Sequence, residues 1–244
     1  MRISTKLLSC ALLAAAVGTS AALAQVHSVA FYGSYSFATS TRLDVDYARA
    51  WGGGARLRVE VADPVQLGIT GGYEQYAIEQ PNELNLWNWK FWNERYAGIV
   101  RDNLASDSTL RASFDTVQTM EVIPVLLTVE AMLSPLEDFV VRPSLGAGVL
   151  FYTKKLYLEE TWSRSYSQIG YAFQYSYRNF ANNKSGNPLA IVGGVEASYR
   201  LTEILSLDAG VHYRWVVSTP GKLGYDEFPY ATALSCALGI SLVY

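Results

Sequence analysis

Cysteine and histidine are nearly missing from this chain, at two each in 244 residues. Cys10 sits in the first apolar run, so Cys236 has no intrachain partner for a disulfide and no companions for a cysteine-based zinc site. Basic residues are also outnumbered, 19 against 22 acidic. Setting Arg2 and Lys6 aside with the leading segment leaves 17 against 22, a net charge of −5, which gives no footprint for nucleic acid. Glycine-rich nucleotide loops, zinc-spaced clusters and calcium-loop signatures are missing too, so no cofactor is expected. After the first 24 residues there is no run of about 18 uncharged apolar residues, which excludes a transmembrane helix. Such a chain could cross a bilayer only as a closed sheet.

The leading segment has its own pattern. Arg2 and Lys6 precede an apolar run from Leu7 to Val17, and Ala22-Leu23-Ala24 supplies small residues before Gln25. This is the layout of a cleavable export signal covering 1–24, with a mature chain of 25–244.

The mature chain is rich in period-2 alternation. Eight runs carry it: Val29 to Phe37, Trp51 to Val61, Gln66 to about Tyr76, Gln118 to Ala131, Val141 to Phe151, Leu189 to Arg200, Leu207 to Trp215 and Ala233 to Tyr244. In the last, Leu234, Cys236, Leu238, Ile240, Leu242 and Tyr244 share one face, with mostly small residues opposite. The fourth is the least regular, because Val122, Pro124 and Leu126 oppose Ile123, Val125 and Leu127; a bulge or local irregularity is expected there. Connections after the second, fourth and sixth runs are short (62–65, 132–137, 201–204), whereas those near 80–117 and 152–188 are long. In the second long one, Tyr171, Phe173, Tyr175 and Tyr177 alternate, which suggests that the flanking strands project beyond the membrane. Trp51, Tyr73, Phe151, Tyr199, Trp215 and Tyr244 gather toward the run ends, as an interfacial girdle requires. The expected fold is all-β: a transmembrane antiparallel up-and-down barrel of eight strands in a single domain, a monomer.

Alternation alone does not say which face is inside. A soluble sandwich would bury the apolar faces and solvate the charges. A membrane barrel would turn inward Arg56, Arg58, Glu60, Glu74, Arg142, Glu196, Arg200, Asp208, His212 and Arg214. The export signal and the asymmetric connections favour the barrel.

Four stretches resemble the small outer-membrane β-barrel proteins of Gram-negative bacteria, the broad OmpA/OmpW-like group. They are Tyr32-Gly33-Ser34-Tyr35, Ile123-Pro124-Val125, Arg142 to Gly148, and the closing run. The resemblance implies an outer-membrane location after export, contact with outer-membrane lipids, and recognition of the last strand by the outer-membrane assembly machinery. The family usually ends in Phe; Tyr244 stands there in this chain.

Function is less legible. The inward charges read first as a compensated plug in a non-enzymatic envelope protein, and second as the lining of a narrow pore for small solutes. The segment from Pro81 to Phe114 carries Trp87, Trp89, Phe91, Trp92 and Tyr96. It reads as packing over the barrel mouth, with a surface ligand or adhesion partner as the alternative. Trp87, Trp89 and Phe91 alternate as a strand would, which allows a ten-strand barrel, while Leu84, Trp87 and Phe91 fit one helix face. Glu159-Glu160 is at most a weak cation site, and Asp102, Asp107 and Asp115 read as solvated surface. A lipid-modifying enzyme would need a nucleophile beside His212; Ser206 is too far along the same strand. No catalytic residue is assigned.

Overall fold

Hydrogen-bonded strands account for most of residues 26–244, which the computed structural model describes. The expected export signal lies outside the described residues. Eleven strands occur: β1 (Val26–Thr41), β2 (Tyr47–Ala62), β3 (Val65–Glu79), β4 (Leu110–Ala131), β5 (Leu133–Leu136), β6 (Phe139–Tyr166), β7 (Tyr171–Phe180), β8 (Lys184–Gly186), β9 (Leu189–Arg200), β10 (Leu205–Val216) and β11 (Tyr230–Val243). All pairings are antiparallel. The path runs β4-β3-β2-β1-β11-β10-β9-β6, and β4 also pairs with β6 from Leu110↔Arg164 to Glu130↔Ser144. Each of these eight long strands therefore has two long neighbours, and the sheet curls back on itself.

Short turns gather at one end (62–65, 132–138, 201–204), here the turn rim; the long connections gather at the other, the loop rim. One expectation about the loop rim needs correction. The segment 80–109 forms no extra hairpin. It holds a short helix, Glu83–Trp87, a π-helical turn, Trp92–Tyr96, and a helix, Ala97–Ser106. The long connection 152–188 is largely strand, in line with its alternating aromatics: β6 continues to Tyr166 and turns back as β7 and β8. Its alternation is that of strands standing beyond the ring.

At Pro124 the structure has the local irregularity and not the bulge. The β4–β6 register runs through it unbroken, while the β3–β4 ladder lapses at Gly72 and Tyr73 and resumes in the same register. Proline withdraws a donor and costs the ladder one local interruption, not a residue of register.

Polarity is inverted relative to a soluble fold. Alternate residues facing the enclosed side are buried and largely polar, among them Arg56, Arg58, Gln66, Thr70, Glu74, Glu130, Arg142, Glu196, Asp208 and Arg214. Their neighbours on the outer side are apolar and exposed: Leu145 at 65%, Leu127 at 54% and Leu238 at 68%. Trp51, Tyr73, Tyr213 and Trp215 stand on the outer side toward the loop rim, and Tyr199 and Tyr244 toward the turn rim.

Candidate functional site

The enclosed space has two storeys of opposite chemistry. Nearer the turn rim it is filled by ion pairs. Arg58, fully buried, donates from Nε to Glu130 Oε2 at 2.9 Å and from Nη2 to Glu196 Oε1, with Asp208 Oδ2 3.9 Å from its Nη1. Arg56 donates to the other Glu196 oxygen at 2.6 Å and to Thr70 Oγ1 at 3.0 Å. Above them Arg214 grips Glu74 in a two-pronged pair, 2.7 and 2.8 Å, and Tyr76 donates to the same carboxylate at 3.0 Å. Gly68 serves this packing: a Cβ there would collide with the Thr128 hydroxyl and the Glu130 carboxylate.

Eight of the ten residues expected inside are thus placed there, and two are not. Glu60 and Arg200 stand exposed at the strand ends, Glu60 beside His27 at 3.6 Å. Inward parity continues along a strand past the point where neighbours still cover it. Glu130, a principal partner of Arg58, escaped the sequence reading; it extends the series Val122, Pro124, Leu126, Thr128 by one more step of two.

Toward the loop rim the interior turns apolar. Tyr76, Met120, Val122, Leu126, Leu150, Tyr152 and Val192 pack with Phe228 and Tyr230, where the β10–β11 connection folds back in. Tyr152 donates to the Gly224 carbonyl at 2.6 Å and stacks edge-on against Phe228 at 5.1 Å. The space left open between the two storeys includes two small cavities, about 40 Å³ around His212 and Arg56 and about 10 Å³ around Asp208. The larger has room for about one water.

His212 is closed to catalysis by its neighbour. Arg56 Nη2 lies 3.3 Å from His212 Nε2. Guanidinium can only donate, so Nε2 accepts, Nδ1 carries the ring proton, and no free lone pair remains to take a substrate proton. Among the described residues, no group of three or more His, Cys, Asp or Glu is placed to hold a metal ion.

Over the mouth sits a second apolar cluster, in which Trp87 and Trp89 are buried against Leu156, Leu158 and Ala181, with Trp92 against Phe114. Of the five aromatics offered as ligand contacts, only Phe91 is exposed; Tyr96 is tied down by hydrogen bonds. The knot that ties it is Glu160, completely buried. Its carboxylate accepts from Tyr96 at 2.8 Å, Tyr177 at 2.8 Å, Trp162 at 2.9 Å and Asn179 at 2.5 Å. Glu160 is no cation site but a fastener joining the helical segment, β6 and β7.

Lys154 lies in this cap, above the outer apolar band that ends at Phe151. Its ammonium stands 5.1 Å from the Trp87 ring and donates to the Glu227 carbonyl at 3.2 Å. Burial pulls it down to about 8, against the attraction of Glu227. A lysine whose folded value lies below the unfolded one penalises the fold while both states are protonated. That penalty, about 3 kcal/mol, is relieved as pH rises from about 8 toward 10.5. Lys154→Met is therefore expected to be more stable than the parent at pH 7 and to lose that advantage by pH 10, read as the difference between two urea titrations.

The exposed part of the extension is β7. It pairs only with β6, leaving one edge open, and it lines up Tyr171, Phe173, Tyr175 and Tyr177 on one face. These rings stack in sequence 6.2–6.4 Å apart, all more than a third exposed. None was singled out by sequence as a contact surface.

No protein-family model and no curated protein matches the chain. Solved structures similar to it include Neisserial surface protein A, at 15% identity over 89% of this chain and 96% of that one, with a TM-score of 0.44. A major outer membrane protein from Thermus thermophilus gives 16% identity, 88% and 99% coverage, and a TM-score of 0.45. Ail, the attachment invasion locus protein of Yersinia pestis, gives 12% identity, 90% and 100% coverage, and a TM-score of 0.37. The reading of the fold rests on the pairings and burial above, not on these likenesses.

Proposed function

We propose that this chain is an outer-membrane protein whose eight long strands form a closed transmembrane barrel, and that the barrel anchors a surface-binding extension and does not serve as a pore. The observation that carries the barrel is the inversion of polarity along single strands. A continuous outer band of Leu, Ile, Val and Phe is an aggregation hazard in water and the required surface in lipid. The turn rim then faces the periplasm, and the loop rim with β7 faces outward. Outer-membrane lipids and the assembly machinery are the implied partners.

The plug supports anchoring over passage. Opposed charges fill one storey, and tyrosine, phenylalanine and leucine fill the other. The open β7 edge and its aromatic row support binding, since exposed aromatics on a rigid strand supply contact area at low entropic cost. Limited passage of small solutes is the second reading.

Two measurements test the proposal. Folded protein in planar bilayers is expected to give no stable unitary currents. Cells displaying Tyr171→Ser, Phe173→Ser and Tyr175→Ser together are expected to lose adhesion to immobilised matrix proteins or glycans that the parent binds, while retaining heat-modifiable migration. Steady single-channel steps from the parent, or full adhesion by the triple variant, would sink the reading.

A further inference from the structure

We propose that the turn rim holds a binding site for a phosphate-sized oxyanion, centred on Arg142. A cavity of about 130 Å³ opens there among His27, Ser134, Arg142, Ser198, Arg200 and Ser206. It is roomy enough for a tetrahedral oxyanion.

Arg142 is the one of the four interior arginines Arg56, Arg58, Arg142 and Arg214 that has no close carboxylate. Its side chain is 5% exposed and its Nε has no hydrogen-bond partner among the described residues. Nη1 donates to Ser198 Oγ, and the nearest carboxylate is Glu196 at 3.9 Å. Glu196 is already committed to Arg56 and Arg58, and the Ser198 hydroxyl donates its hydrogen bond to Asp208 at 2.5 Å. A desolvated guanidinium held so loosely lacks most of the compensation that burial demands. The cavity supplies the place for it, since Arg200 adds a second cation at the open side and Ser206 a buried hydroxyl. Asp138, exposed at the edge, is the opposing carboxylate of the lining, and it keeps the affinity modest.

The site requires only the strand pairing. Its failure would leave the membrane reading untouched, and the reverse holds as well.

The test uses the chain 25–244 folded in detergent, with folding confirmed by heat-modifiable migration. Calorimetric titration with inorganic phosphate, at ionic strength held constant with chloride, is expected to saturate with a Kd of about 1 mM, the strength of two or three charge-assisted contacts. Arg142→Gln is expected to weaken binding at least about tenfold. Should that variant fail to fold, Arg200→Gln, at an exposed position, is expected to weaken it about threefold. Glycerol phosphate separates the sources: equal affinity marks a terminal phosphate on a larger molecule, and exclusion marks the free ion. An absence of saturable heat with the parent, or unchanged affinity in the folded variants, overturns the proposal.

Discussion

Arg58→Leu is expected to destabilise the folded protein by about 3–5 kcal/mol. The reason lies in what the substitution leaves behind. Arg58 is wholly buried and serves Glu130, Glu196 and Asp208 together. Leucine removes the shared cation but leaves three carboxylates in a space that holds almost no water. Arg56 retains Glu196 at 2.6 Å, so that carboxylate is partly protected. Glu130 keeps only the Thr128 hydroxyl at 2.9 Å and suffers most. Urea titration of lipid-embedded protein should therefore show a large loss for Arg58→Leu and a substantial recovery on adding Glu130→Leu, because that change removes the orphan. A double variant no better than the single would mean that Glu130 is not the group that pays.

That contrast also separates what could be read from the sequence from what could not. Period-2 alternation located six of the eight long strands to within about four residues, because one face of each meets a uniform environment; it missed the start of β4 before Gln118 and the end of β6 after Phe151. It could not say which face was enclosed, since a sandwich and a barrel satisfy the same pattern; the buried guanidinium of Arg58 and the bare Leu238 decide it. The irregularity assigned to the fourth strand had another cause. Val122 and Leu126 are apolar and inward because β4 crosses the apolar storey, and only below it does the inward series turn polar at Thr128 and Glu130. Alternation read as polar-in, apolar-out fails where the interior itself changes character.

The loop rim was less legible for a related reason. Trp87, Trp89 and Phe91 alternate, yet the chain there is helical and irregular, because the residues they must cover, Leu156 and Leu158, lie on a distant strand. Tyr171 to Tyr177 were visible as alternating aromatics, but their exposure depends on β7 having no second neighbour. Nothing local encodes that absence.

Glu160 offers the second large effect, and its two substitutions should diverge. A buried carboxylate without a cation within reach is unusual; here four donors from the helical segment, β6 and β7 converge on it. Glu160→Leu strands those donors, at about 1–3 kcal/mol for each that finds no substitute. Tyr96 and Tyr177 already touch each other and can partly recover, while Trp162 and Asn179 cannot. The cap is then expected to open locally, with the ring of long strands left intact. Glu160→Gln keeps an oxygen for Tyr96, Tyr177 and Trp162. Its new amide faces Asn179, which can turn its own oxygen toward it, so the network closes again without charge. Limited proteolysis of folded protein should accordingly cut Glu160→Leu within 80–109 while sparing the parent and Glu160→Gln, all three retaining heat-modifiable migration. If both variants are cut alike, the negative charge itself holds the cap. If neither is cut, the apolar cluster around Trp87 and Trp89 suffices to seat the helical segment, and the fastening assigned to Glu160 is wrong.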